Sequence, residues 1–244
     1  KYKFITPEEY DSIAARPIIL DFKKASHNEG LAPYLREYLR ADLKKWCENN
    51  QKADGTNYNI YTDGLKIYTT INSKMQQYAE DAVRSHIASL QDDFFKHWEG
   101  YTNAPFPKDF DNDQINKILE QAMKRSDRYK RLKQLNASKK EIYSAFRTKT
   151  NMRVFTWQGE KDTIMTPLDS IKYYKYFIHS GMMSMDPNTG HVKAYVGGID
   201  YKYFKYDHVK VGRRQVGSTF KPFLYALALQ EGYSPCYEIP NVPV

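Results

Sequence analysis

Apolar positions recur at helical spacing between Ala32 and Asn50, at Leu35, Tyr38, Leu39, Leu43 and Trp46, and predict a helix there. A second stripe, Met75, Tyr78, Ala79, Ala82, Val83, Ile87 and Leu90, predicts a longer helix, with Asn72 or Ser73 placed to cap it. Between them, Gln51 to Asn57 is polar and contains glycine, which reads as a surface turn. Gly64 to Ile71 alternates apolar and polar residues with β-branched enrichment and predicts a strand. Ahead of all these, Thr6-Pro7-Glu8-Glu9 is a capping box with proline at the first helical position, opening a short helix that ends near Arg16-Pro17.

Beyond a Pro/Asp/Asn-rich loop from Glu99 to Asp113, helical patterning resumes from Gln114 to about Leu135 and from Lys139 to Arg147. Both stretches are strongly basic and read as a helical insertion with a solvated charged face. Met152 to Trp157 is a strand candidate and Gly159 to Asp162 a turn; Thr166-Pro167-Leu168-Asp169 caps a helix running to about Ser180. Strands follow at Gly181 to Met185 and His191 to Val196, joined by the turn Asp186-Pro187-Asn188-Thr189-Gly190. No internal repeat is evident. The class is α+β.

The last pattern carries chemistry. In Gly217-Ser218-Thr219-Phe220-Lys221-Pro222-Phe223 a hydroxyl and an amine stand three residues apart, on one face of a helix. A neutral lysine can take the proton of a neighbouring serine and turn a weak nucleophile into an acylating one. Spacing alone is no argument, since about one Ser-x-x-Lys arises by chance in a chain of this size. Pro222 adds to it: proline is tolerated only in the first turn of a helix, so the helix begins close to Ser218, with Gly217 allowing the turn into it. The run Phe223 to Leu229 is nearly all apolar and predicts a buried helix that Gly232 stops. Ser218 would then sit at the positive end of that helix. An N-capping serine followed by a solvated lysine satisfies the same residues.

Composition narrows the classes. Charged residues are 27% and hydrophobic residues 41% of the 244, ordinary for a globular chain. No apolar run approaches the ~20 residues of a membrane span. The net charge of +8 suits a surface facing anionic lipid, an anionic cell-wall polymer or nucleic acid, without choosing among them. Tyrosine interleaves with lysine in Lys172-Tyr173-Tyr174-Lys175-Tyr176-Phe177 and in Tyr201-Lys202-Tyr203-Phe204-Lys205-Tyr206. That is a feature of single-strand binders, but no nucleic-acid motif accompanies it, and a half-buried helix and an aromatic loop explain the two segments. Nucleic acid is not expected as a partner. Cys47 and Cys236 match no zinc or redox spacing and read as ordinary buried thiols. The six histidines are scattered, so neither a metal nor a cofactor is expected.

Three stretches in order, Asp186-Pro187-Asn188-Thr189-Gly190, Val192-Lys193-Ala194-Tyr195-Val196-Gly197-Gly198 and Arg214-Gln215-Val216-Gly217-Ser218-Thr219-Phe220-Lys221-Pro222-Phe223, resemble the opening of the transpeptidase domain of class A, bifunctional penicillin-binding proteins. The resemblance covers residues 180–244. Gly64 to Val83 is similar to the linker leading into that domain, and Lys1 to Pro17 to the tail closing the family's glycosyltransferase domain. The organisation implied is a tail at 1–17, a mostly helical linker with a small sheet at 18–179, its helical insertion at about 99–150, and the first strands and serine helix of an incomplete transpeptidase at 180–244.

The resemblance implies that Ser218 attacks the penultimate D-alanine carbonyl of a peptidoglycan stem peptide, with Lys221 as the base and the Ser218 N–H as half of an oxyanion hole. Terminal D-alanine leaves, an amine of a neighbouring strand resolves the acyl-enzyme, and β-lactams acylate the same serine. It also implies glycan strands as partners, an extracytoplasmic location, and a parent anchored in the inner membrane through an N-terminal region. Three departures stand out. Val216 replaces the family's proline, and Tyr206-Asp207-His208-Val209 replaces Phe-Asn-Arg-Ala. No Ser-x-Asn or Lys-Thr-Gly element follows Ser218; Lys149-Thr150 is followed by Asn151, and Ser26-His27-Asn28 lies upstream. The 244 residues alone are therefore expected to be inactive. A non-catalytic interaction or spacer module is the rival reading; a β-lactamase or penicillin sensor fits the preceding linker less well.

Overall fold

The computed structural model describes residues 4–14, 16 and 30–238. The elements in order are α1 (Pro7–Ala14), α2 (Pro33–Asn49), α3 (Ser73–His97), α4 (Asn112–Arg125), α5 (Asp127–Gln134), α6 (Lys139–Arg147), β1 (Thr150–Thr156), β2 (Gly159–Met165), α7 (Pro167–Tyr174), β3 (Met182–Met185), β4 (Val192–Val196) and α8 (Lys221–Gln230). A 3-10 turn, Gly217–Phe220, leads into α8. Helices with two small antiparallel sheets make the fold α+β, as the pattern predicts.

Capping residues set most of the helix starts. Thr6 and Glu9 exchange the two bonds of a capping box at α1. The expected end of that helix at Pro17 lies outside the described residues. Asn72 caps α3, and Ser138 with Glu141 closes a box at α6. The helix predicted from Gln114 to Leu135 is broken into two. Ser126 leaves the helical conformation and its hydroxyl accepts the Tyr129 N–H, so one residue ends α4 and caps α5. The helix predicted to reach Ser180 stops at Tyr174.

Two β readings change. Gly159 to Asp162 is not a turn but the start of β2, which pairs with β1 from Thr150 opposite Met165 to Thr156 opposite Gly159. Its polar sequence hid it, because this two-stranded ribbon leaves Glu160, Lys161 and Asp162 in solvent. Gly64 to Ile71 has strand alternation but forms no strand. No edge is available along most of it: Ile67 and Tyr68 are exposed, and only its end reaches β4, through the Thr70 hydroxyl on the Val192 carbonyl.

The core is a chain of small clusters. Ala79, Val83 and Ile87 of α3 pack on Ala194 and Val196 of β4. Tyr34, Tyr195 and Tyr201 form a second cluster, and Phe155, Phe177 and Phe204 a third. The tyrosines at 173 and 174 lie against that third cluster, with the Tyr173 and Phe177 ring centroids 5.2 Å apart. The α4–α6 unit closes around Met123, Ile142 and Phe146. Cys47 is buried as expected, whereas Cys236 is exposed, because among the described residues nothing covers the segment after α8.

Candidate active site

The approach to Ser218 begins with the β3–β4 hairpin. Asp186 builds its turn: one carboxylate oxygen accepts the N–H groups of Asn188 and Thr189 at 2.9 and 3.2 Å, which also holds the carboxyl below its usual pKa. Met182 to Met185 pairs with Val192 to Val196, with a bulge between Ser184 and Met185.

A helix, rather than a third strand, satisfies the free edge of β4. The fully buried Gln76 of α3 donates to the Tyr195 carbonyl (2.9 Å) and accepts the Tyr195 N–H (2.7 Å), reproducing a backbone pair with a side-chain amide. Its amide also donates to Glu80 at 2.7 Å, and Glu80 accepts the Ala32 N–H at 2.8 Å, tying α2 to the same point. Four turns along, the equally buried Gln91 repeats the device, donating to the Tyr176 carbonyl and accepting the Ile178 N–H. The buried stripe of α3 is thus Gln76, Ala79, Val83, Ile87 and Gln91, while the predicted Met75, Tyr78 and Leu90 are exposed. Buried amides are invisible to a pattern that counts apolar residues.

Gly197-Gly198 follows β4 because Tyr34 lies across it. A Cβ on Gly197 would meet Tyr34 Cγ at 2.6 Å, and one on Gly198 would meet Tyr34 Oη at 2.3 Å. Burial and the negative charge of Asp200 push the Tyr34 phenol pKa up, and its hydroxyl donates to the Phe204 carbonyl at 2.5 Å. Asp207 then organises the loop toward the serine. Its carboxylate accepts the Tyr195 hydroxyl at 2.6 Å and the N–H groups of Val209 and Lys210 at 2.9 and 3.0 Å. Burial and that bond to Asp207 raise the Tyr195 pKa. The His208 N–H returns to the Gly197 carbonyl at 2.7 Å. The His208 ring stacks on His179, centroids 4.8 Å apart. His179, which also meets the Phe204 ring edge-on at 4.9 Å, nevertheless keeps much of its surface in solvent. Desolvation of the stacked side, with His208, Lys175 and Arg214 adding like charge, still pushes its pKa down to about 4.

The candidate pair comes next. Gly217 has φ 51°, in the left-handed region that favours glycine. The Thr219 hydroxyl and N–H both bond the Val216 carbonyl. In a 3-10 turn residues three apart eclipse, so Ser218 and Lys221 fall on the same side, and the Lys221 N–H bonds the Ser218 carbonyl. Pro222 sits in the first turn of α8, as expected. Gly232, φ 90°, ends it, with the Tyr233 N–H on the Ala228 carbonyl. Ser218 and Lys221 are both exposed, and among the described residues no hydrogen bond joins the hydroxyl to the amine. The expectation of a buried helix is overturned. Phe223 is 69% and Tyr225 62% exposed, and no residue of α8 is buried. Nothing in the described residues lies over its apolar face.

Residues 101–178 match the family model of the penicillin-binding protein middle domain. Over 250 residues the chain is 27% identical to penicillin-binding protein 1A of Rickettsia felis, covering 95% of this chain and 30% of that protein. It is 27% identical over 274 residues to penicillin-binding protein 1A of Haemophilus influenzae and 23% over 280 residues to that of Escherichia coli, each covering 99% of this chain. Together these matches support a fragment of a class A penicillin-binding protein. It spans about 30% of the length of these curated relatives. The departure at Tyr206 to Val209 has a structural account: Asp207 supplies the carboxylate that both turns the loop and holds Tyr195. Sequence reasoning missed that role, although an aspartate two and three residues before the N–H groups it caps is a readable signal. Val216 is exposed, and its carbonyl anchors Thr219.

Proposed function

We propose that this chain belongs to a bacterial cell-wall synthase and carries the acylating serine of a D,D-transpeptidase that cross-links peptidoglycan stem peptides. The observation that carries the reading is the placement of Ser218 and Lys221 on one side of a turn that opens a helix, beyond a hairpin braced by Gln76 and Tyr34 and the loop that Asp207 organises. In this reading the Ser218 hydroxyl adds to the penultimate D-alanine carbonyl and Lys221 takes the proton. The C–N bond to terminal D-alanine breaks, and that D-alanine leaves as the free amine. An amine of a neighbouring stem peptide displaces the serine and forms the cross-link. For Lys221 to act as a base its amine must be neutral, which requires enclosure or a neighbouring cation. The Ser218 N–H, at the positive end of the helix, stabilises the developing oxyanion.

The parent protein is proposed to join this chain to a glycosyltransferase upstream and to the rest of the transpeptidase downstream, facing the extracytoplasmic side with a membrane anchor outside these residues. The units are then a tail at 1–17, a linker at 18–179 and the start of the transpeptidase at 180–244. Among the described residues no helix is long and apolar enough to cross a membrane. Labelling the parent with a fluorescent penicillin, followed by peptide mass mapping, tests the assignment. The adduct is expected on Ser218 and absent in Ser218→Ala. Persistent labelling of the alanine variant at another residue would contradict it. Because removing one oxyanion donor costs roughly 10²–10³ in turnover, and Ser218 here lacks enclosure as well, the 244 residues alone are expected to acquire no adduct.

A further inference from the structure

The net charge of this chain is concentrated in one place. Residues 124–149 hold ten lysines and arginines against Asp127 and Glu141, a local charge of +8, while the remaining 27 cations and 27 carboxylates cancel. All ten cations are exposed on the small unit made by the end of α4, α5, α6 and the residues just after it, and of them Lys124 is paired with Glu120 of α4 at 2.9 Å. Neither local carboxylate is free to offset them broadly. Asp127 pairs with Lys130 at 3.5 Å, and Glu141 is held in the Ser138 capping box.

An apolar element sits inside this charge. Arg128, Arg131, Leu132 and Leu135 follow the i, i+3, i+4, i+7 spacing of one helical face. With Asp127 they line one surface cleft of about 490 Å³. Leu135 is 68% exposed although its neighbours pack on Met123 and Phe146 beneath. A helix-turn unit with guanidinium groups beside an uncovered leucine, Leu135, and a half-buried one, Leu132, matches the region where phosphate headgroups meet acyl chains. Arginine suits phosphate because its planar fork can bond two oxygens at once. A carboxylate-bearing glycan or a nucleic acid would meet the charge but leave the leucines without a counterpart.

We propose that the face formed by Arg128, Arg131, Leu132 and Leu135, within the basic α4–α6 unit, docks on anionic phospholipid. The contact is peripheral: phosphates bind the arginines while Leu135, flanked by the outer edge of the half-buried Leu132, reaches the upper acyl region. It does not depend on the acyl-transfer reading of Ser218.

Cosedimentation of the 244-residue chain with vesicles tests this. Vesicles of equal parts phosphatidylglycerol and phosphatidylcholine are compared with phosphatidylcholine alone, at about 50 and about 500 mM salt. Binding is expected only with the anionic vesicles and is expected to fall at least tenfold at the higher salt. Reversing three charges, Arg128→Glu, Arg131→Glu and Lys133→Glu, should weaken binding about a hundredfold or more. An equal reversal elsewhere, Lys45→Glu, Lys66→Glu and Lys74→Glu, should weaken it less than about tenfold, which separates a site from net charge. Leu135→Ser, which removes an exposed side chain and should leave folding unchanged, is expected to cost about three- to tenfold more than Leu90→Ser. Equal losses from the two triple variants, no preference for anionic vesicles, or tighter binding to soluble uncross-linked glycan strands than to vesicles would each overturn the proposal.

Discussion

The two sides of the Ser218 turn are built differently. On the upstream side the free edge of β4 is closed at Tyr195 and the loop beyond it is held in place. Gln76 pairs with Tyr195 as a strand would, Tyr34 lies against Gly197-Gly198, and Asp207 gathers the loop that follows. On the downstream side α8 is the most apolar helix of the chain and yet has no buried residue. Helix propensity, a proline in the first turn and a glycine stop suffice to form that helix locally, but tertiary stability comes from burying a face. The scaffold behind the serine is complete within these residues. Among the described residues nothing encloses the other side of the serine.

The contrast predicts unequal responses to substitution. The largest is expected for Gln76→Leu, which leaves the Tyr195 N–H and carbonyl buried without partners and should cost about 3 kcal/mol in denaturant unfolding. A cost below about 1 kcal/mol would mean that the amide is not the edge of the hairpin. Gly198→Ala should follow at about 2–3 kcal/mol, since its new methyl would collide with a tyrosine hydroxyl pinned to Phe204. Tyr34→Ala in the same background should recover the steric part, measurable as coupling in a double-mutant cycle.

A smaller effect concerns the His179–His208 stack. The folded state disfavours the His179 imidazolium, so its contribution to stability is present above the unfolded pKa near 6.5 and is lost as pH falls toward about 4. Solvent at the exposed part of His179 reduces the loss to about 1 kcal/mol, read as a drop in midpoint between pH 7 and pH 5. His179→Asn should flatten that slope; an unchanged slope would show that the histidine does not carry it. The smallest effect is expected for Phe223→Ser on α8, within about 0.5 kcal/mol, because the ring it removes is already in water. A loss of 2 kcal/mol or more would show that α8 packs on the rest.

What the sequence shows of this molecule follows from where the determinants are local. The Lys139 to Arg147 helix, the two hairpin strands before Gly197 and the proline start of α8 depend on caps, turn residues and alternation, and the structure has them within a residue or two. Gly64 to Ile71 has the alternation of a strand and fails for want of a partner edge, which no local pattern reports. β2 was hidden because both faces of a two-stranded ribbon can stay polar. Gln76 and Gln91 were hidden because polar residues are assigned to the surface by default, and only their backbone partners 119 and 85 residues away explain them. The Ser218–Lys221 spacing was readable, but its exposure was not, since an all-apolar helix is ordinarily buried.

Native-state hydrogen exchange of the 244-residue chain bears most directly on the difference between the two sides of Ser218. The Tyr195 amide and the amides around Ala79 and Val83 should exchange only with global unfolding, while amides 225–230 of α8 should exchange through local opening, faster by at least about a hundredfold. Equal protection of α8 and the hairpin would contradict the account, since it would mean that the serine helix is already held by this chain.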